Sequence, residues 1–389
     1  MPASGRLELR DEDHAILLSA RTHLSASLED RLGDLLQEDL DWRYIQRKSQ
    51  AHHVTPLLYN SLRRFERCVP SEILSHMRSQ ARQNGMRNHL ARAELLRILR
   101  RFQEHGVIGM PYKGPTLAES VYGDLSLRIF GDLDILVPPG RVPKAKEALT
   151  SLGYQSMYSL NRAEERLYLR ADCEAQFGRP TAGGGYSIVE LHWGVLPAFF
   201  TLSLDADRLW QSASEVEGEG VRYALMSPES QLLAMCLHAW RHLWNPLQCI
   251  CDLNEFLDRY QDRLDWDEIR ARAQALRCEK VVITSLGVVG ALFHREAPAD
   301  FKMPPLPGKL AASIFPNEEE PASLLRIHAA KASFLESRRM QLRYGWRVLT
   351  TPTTTDFREL SLPEHLTNFY WLFRPFRLGW KAVRGRQRL

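Results

Sequence analysis

The chain has 389 residues, 44% of them hydrophobic and 25% charged, with a formal net charge of +4. That is the make-up of a soluble globular protein too long for one small core, so two or three subdomains are expected. The modest positive charge permits a nucleotide or nucleic-acid partner without arguing for one, and no apolar run approaches the ~18 residues of a membrane-spanning helix.

The first residues, MPASGRLELRDEDH, are polar and acidic, unlike a signal peptide. Six cysteines (Cys68, Cys173, Cys236, Cys249, Cys251 and Cys278) make no C-x-x-C pair. Free thiols in a reducing cytoplasm are the expectation, and with it a cytoplasmic location.

Residues 1–105 read as a helical region. EDHAILLSARTHL, LEDRLGDLLQEDL and NHLARAELLRILRRFQEH carry apolar residues at three-and-four spacing. YIQRKSQAHHVTPLLYNSL predicts a helix pair broken near Pro56.

The texture changes at Gly106, and residues 106–200 read as a small α/β unit. VIGMPYKG predicts a buried strand, and PTLAESVYG a short helix with Pro115 in its first turn, where a missing N–H costs nothing. LSLRIFGDLDILVPPG is strand-like up to Pro138-Pro139-Gly140, and VPKAKEALTSLG is a helix stopped by Gly153. YQSMYSL and RLYLRADCEAQF read as strands, TAGGG as a turn, and YSIVELHW as a strand with Ile188, Glu190 and His192 on one side.

Helical periodicity returns over 201–300, in SPESQLLAMCLHAWRHLW, LQCICDLNEFLDRY, DWDEIRARAQALRC and KVVITSLGVVGALF. PPLPG near residue 304 reads as a linker. Residues 301–389 form a helical extension ending in a basic tail with Arg374, Arg377, Lys381, Arg384, Arg386 and Arg388, interleaved with Phe376 and Trp380. The tail is either solvated or a contact for an acidic surface, RNA or membrane headgroups.

The unusual residues fall in the α/β unit. Asp132 and Asp134 share one face of a strand beside Ile135, Leu136 and Val137, which require burial. Three readings follow: both aspartates solvated at a turn, a calcium loop, or a divalent-metal site. No D-x-D-x-D-G series supports the second. In the third, two like charges are tolerated because a cation neutralises them. A two-metal arrangement needs a third carboxylate, and Glu190 is the candidate, the alternative being an exposed glutamate on an edge strand. His192 either orients Glu190, touches substrate, or is satisfied within the core.

A phosphate-binding element is expected nearby. Lys113-Gly114 runs into a helix start, where Gly114 lets the backbone approach an anion, the first-turn N–H groups at Thr116 and Leu117 face it, and Lys113 adds a point charge. The alternative is a plain turn. Arg128 has strand parity with Asp132 and Asp134, placing it to neutralise them or to bind triphosphate. His238 and His242, four apart, share a helix face. They either pack structurally, line the nucleotide or acceptor cleft, or bind zinc, with Asp252 as a partner for one of them.

These residues resemble a known family. Lys113-Gly114, Tyr122, Arg128, Asp132, Asp134, Val137, Gly153-Tyr154, and Glu190, His192 and Trp193 in VELHW are similar to the pattern of the uncharacterised nucleotidyltransferase family, within the polymerase-beta-like superfamily. HHVTPLLYNSL and LHAWRHLWNPLQCICDLNEFL resemble its flanking helical segments, so the likeness covers roughly residues 10–300.

The resemblance implies an α+β fold, a small mixed β-sheet nucleotidyltransferase core flanked by N-terminal and C-terminal helical regions. It implies Mg²⁺ (or Mn²⁺) on Asp132, Asp134 and Glu190, an NTP substrate, and transfer of NMP to an acceptor of unknown class (small molecule, peptide or RNA). The turn departs from the superfamily's Gly-Gly or Gly-Ser, because Pro115 brings neither an N–H nor a hydroxyl. That departure favours the alternative of a nucleotide-binding regulatory module without turnover. A toxin-like enzyme acting on tRNA is a further variant, supported by the basic tail.

Overall fold

The computed structural model describes residues 9–295 except 182, 203 and 205, then Ile314, 324–360 and 362–383. The expected linker near residue 304 and the arginines at 384, 386 and 388 lie outside them.

Five helices precede the sheet: α1 (Asp11–Ser19), α2 (Ala26–Leu35), α3 (Trp42–Ala51), α4 (Thr55–Leu62) and the long α5 (Ser71–Glu104). The predicted break falls between α3 and α4, and Pro56 sits in the first turn of α4. The sheet contains β1 (Met110–Pro111), β2 (Asp132–Leu136), β3 (Gln155–Ser156), β4 (Glu174–Pro180) and β5 (Tyr186–His192) in the order β1-β2-β5-β4-β3. Only β2 and β5 run parallel, so the sheet is mixed. With helices on either side in sequence, the fold is α+β.

Alternation explains which face of the sheet is buried. Leu133, Ile135, Phe177, Val189 and Leu191 point into a core built with Leu95, Ile98 and Phe102 of α5 and with α7 (Val142–Ser151). The opposite face carries the polar residues.

Three local expectations need correction. RLYLRA, read as a strand from its alternating leucines, belongs to α8 (Arg162–Ala171). Asn161 Oδ1 accepts from the N–H groups of Ala163 and Glu164, both at 2.9 Å, while the Glu164 carboxylate accepts the Asn161 N–H at 3.0 Å. This reciprocal cap commits the segment to helix. Residues before Asp132 are not strand either: Leu125–Leu127 is a 3₁₀ turn, so Arg128 does not share strand parity with the aspartates. Between residues 200 and 226 the chain is not purely helical. After α9 (Ala206–Gln211) comes a hairpin, β6 (Ser214–Gly218) and β7 (Val221–Leu225), whose Ala224 N–H donates to the Gly109 carbonyl at 2.9 Å.

Four helices follow as expected: α10 (Pro228–Arg241), α11 (Gln248–Tyr260), α12 (Trp266–Ala275) and α13 (Glu279–Phe293). Ser227 caps α10 by accepting the Ser230 N–H. The C-terminal extension supplies α14 (Leu324–Ser333), α15 (Arg338–Thr350), α16 (Thr354–Leu360) and α17 (Tyr370–Val383). All six cysteines are free thiols.

Candidate active site

The polar face of the sheet is assembled by register. Asp134 of β2 lies opposite Glu190 of β5, and Gln176 and Glu174 of β4 lie opposite Glu190 and His192. Strand pairing thus places residues of β2 in one row with residues of the β4–β5 hairpin some 40 to 60 positions later.

The row is held by charge. Asp134 is buried; its Oδ1 sits 2.5 Å from Lys113 Nζ and 3.1 Å from His192 Nε2. Burial alone would raise its pKa, but Lys113 and His192 outweigh that and hold it well below the carboxylate range. Burial likewise opposes the charges on Lys113 and His192. The facing Asp134 keeps the ammonium, and Tyr112, Asp134, Cys173 and Glu190 raise the imidazole well above its ordinary value. His192 Nε2 also lies 3.5 Å from Glu190 Oε2, and Gln176 Nε2 donates to Glu190 Oε1 at 2.8 Å.

Asp132 differs. Burial first, then the neighbouring Asp134 and Glu190, push its pKa up to about 6. It is the member of the row whose charge its surroundings favour least.

The other predicted residues divide into two groups. Lys113, Gly114 and Thr116 stand at the start of the four-residue α6 (Gly114–Leu117), at the edge of the row. Gly114 has a φ of +53°, and a Cβ there would lie 3.4 Å from the Asp132 carbonyl oxygen. Only glycine takes this conformation cheaply so close to β2. His238 of α10 joins Tyr112, Lys113, Gln231 and Asp252 in lining a narrow cleft beside the row. Burial, then Lys113 and His242, lower its pKa well below the ordinary value, so it is neutral. The His242 ring lies 4.7 Å from that of His238, but neither histidine joins a metal-ligand group among the described residues.

Arg128 is elsewhere. Its Nε and Nη2 donate to Asp252 Oδ1 and Oδ2 at 2.8 and 2.9 Å, and Tyr122 donates to the same carboxylate at 2.6 Å. Asp252 therefore partners Arg128 rather than a histidine. Asn84 and Asn88 of α5 donate to the Arg128 carbonyl, and Gln248 of α11 makes a two-way amide bridge to Ile129. Tyr122 and Arg128 thus bolt the approach to β2 onto α5 and α11.

Two participants escaped the sequence reading. Glu174 Oε2 faces His192 Nδ1 at 3.5 Å, and Arg241 of α10 grips Glu174 with two bonds of 2.9 and 3.0 Å. Burial would raise Glu174, but Arg241 outweighs it and brings the carboxyl down to about 2. The available signal was an acid within a strand-like run, as at Glu190, here blurred by Asp172 two residues before it.

The donor chemistry fits a hard divalent cation. Asp134, Glu190 and His192 each offer a ligand atom within 4.8 Å of the others. Cys173, Glu174 and His192 form a second such group, but Glu174 is already committed to Arg241. Asp132 belongs to neither group, yet its raised pKa marks a carboxylate that a nearby cation would ionise.

The model of the uncharacterised nucleotidyltransferase family matches residues 38–294, from just before α3 to the end of α13, and the chain belongs to that family. No curated protein and no solved structure matches it.

Proposed function

From that membership we propose that the chain is an Mg²⁺- or Mn²⁺-dependent nucleotidyltransferase, moving NMP from an NTP to an acceptor hydroxyl or phosphate with release of pyrophosphate. The observation that carries this reading is the register pairing of Asp134 with Glu190, with Asp132 beside them as the least neutralised carboxylate.

Asp132, Asp134 and Glu190 would hold the cation, and His192, kept protonated, stands beside the last two as a hydrogen-bond donor rather than a ligand. When bound, it supplies positive charge against the triphosphate and the acceptor oxygen. The remaining work belongs to the chain. Gln176 fixes Glu190, and Arg241 fixes Glu174, which in turn faces His192 and orients it toward Asp134. Lys113 moves off Asp134 when substrate binds and pairs with the phosphate chain. Gly114 and the turn at Thr116 bring the backbone close to that chain. Neutral His238 offers a hydrogen bond from the cleft wall to nucleotide or acceptor.

Two observations favour a second reading, a nucleotide-binding module without turnover. Lys113 neutralises Asp134 directly, and Pro115 withholds an N–H from the phosphate turn. Labelled NTPs with Mg²⁺ or Mn²⁺ and a panel of small-molecule, peptide and RNA acceptors decide between them. Pyrophosphate release by wild type that is lost in Asp134→Asn supports the enzyme. Binding of NTP with no release under any condition supports the module. A tRNA acceptor had only the basic tail behind it, and that support is weakened, because Arg374 and Arg377 are turned inward onto Asp356.

A further inference from the structure

The C-terminal helices are amphipathic in the inverted sense. Among the described residues, ten of the fourteen exposed large apolar side chains lie between Leu325 and Trp380. On α17 and the turn before it, Phe369, Leu372, Phe373, Phe376 and Trp380 recur at three-and-four spacing and are 40–78% exposed. An adjoining face of the helix, roughly a third of a turn round, carries its polar groups inward. Arg374 pairs with the fully buried Asp356. Arg377 bonds Asp356 Oδ1 at 2.6 Å and Glu359 at 2.8 Å, and the Tyr370 hydroxyl donates to Glu164 of α8 at 2.8 Å.

These bonds fix the rotation of the helix. Turning the apolar stripe inward would leave a buried carboxylate and two arginines without partners, which opposes that rotation.

The neighbouring α15 repeats the arrangement. Leu342, Trp346 and Leu349 are 42–76% exposed on one face, flanked by the exposed Arg338, Arg339 and Arg343, while Met340 and Tyr344 are buried. Arg339 and Arg343 also line a cavity of about 750 Å³ together with Arg277. None of these three guanidinium groups has an acidic partner among the described residues, so the cavity is a cationic recess beside an apolar stripe. The sequence adds cations and no acid beyond Glu364.

We propose that α15 and α17 form a docking surface for an anionic lipid bilayer. The aromatic and leucine side chains enter the headgroup–acyl boundary, and Arg277, Arg339 and Arg343 receive lipid phosphate. Apolar stripes bordered by arginine match such a surface in both hydrophobicity and charge. A second copy of the chain would bring the same cations against one another, and RNA would leave the leucines uncovered.

The test is co-flotation of the full chain with phosphatidylglycerol–phosphatidylcholine vesicles, against vesicles of phosphatidylcholine alone. Wild type floats with the anionic vesicles, and its tryptophan emission moves to shorter wavelength. Phe376→Ser, at a position 78% exposed and so compatible with the fold, lowers the partition coefficient roughly tenfold. The double variant Arg339→Gln/Arg343→Gln abolishes the preference for anionic lipid, with unchanged thermal melting confirming the fold of each variant. The proposal is overturned if wild type stays with the soluble fraction, or binds both vesicle types equally. It is also overturned if light scattering shows a dimer that Phe376→Ser converts to monomer, or if RNA binds and vesicles do not.

Discussion

Arg128 and Asp252, 124 positions apart, form a buried bidentate ion pair that joins the loop before β2 to α11. Deleting one partner leaves the other charged and buried. Asp252→Ala should therefore cost about 3–5 kcal/mol in urea unfolding. The apolar double variant Arg128→Met/Asp252→Leu should cost less than the single one. If the single variant is within error of wild type, the pair is not what holds these elements together.

Lys113 occupies the position of a cation beside Asp134. Lys113→Gln should tighten Mn²⁺ binding, read by titration calorimetry, on the order of tenfold, because an ion no longer competes with the ammonium. Nucleotidyl transfer should nevertheless fall, since the same lysine serves the phosphate chain. Unchanged Mn²⁺ affinity would remove Lys113 from the electrostatics of the site.

Gly114→Ala forces a Cβ into a left-handed residue 3.4 Å from the Asp132 carbonyl. The conformational penalty is about 1–2 kcal/mol, a modest drop in melting temperature. The effect on KM for NTP should be disproportionate, because the strain sits where the turn meets β2. Equal KM values would show that this turn does not contact the nucleotide.

His52 is buried, and its Nδ1 accepts the Leu247 N–H at the start of α11 at 3.2 Å. Burial, then Lys48 and His53, lower its pKa to about 4. With the folded value below the unfolded one, its stabilising contribution is complete above pH 6.5 and is lost as pH falls toward 4. The loss is roughly 3 kcal/mol across that window. His52→Asn keeps an acceptor without titrating, so its stability profile between pH 6.5 and 4 should be flatter by that amount. Parallel profiles would refute the assignment.

Much of this was legible in sequence because the relevant signals are local. The three-and-four spacing in SPESQLLAMCLHAW marks α10, and alternation in YSIVELHW puts Glu190 and His192 on one face whatever they pair with. The failures have causes that alternation and parity do not carry. Leu167 and Leu169 alternate like a strand, and only the reciprocal cap between Asn161 and Glu164 shows that the backbone is helical there. Arg128 is an even number of positions from Asp132 in sequence, but the strand starts only at Asp132, and Ile129 is bonded instead to Gln248, 119 residues away. The Glu174–Arg241 pair depends on where α10 lies over the sheet, and no spacing in the chain encodes that. The hairpin β6–β7 was legible in principle from Gly218-Glu219-Gly220, a turn between two short alternating runs.

The numbering of the central sheet sorts its residues by job. Along β2, β4 and β5, the polar residues at even positions (Asp132, Asp134, Glu174, Gln176, Glu190, His192) share the cleft side, where Leu136 is buried among apolar side chains, and odd ones such as Leu133, Ile135, Phe177, Val189 and Leu191 look toward α5 and α7. The two sets share a backbone but scarcely share neighbours. Specificity can therefore drift at even positions while folding is maintained at odd ones. A one-residue insertion in β2 is the exception, because it exchanges the two sets and damages both properties together.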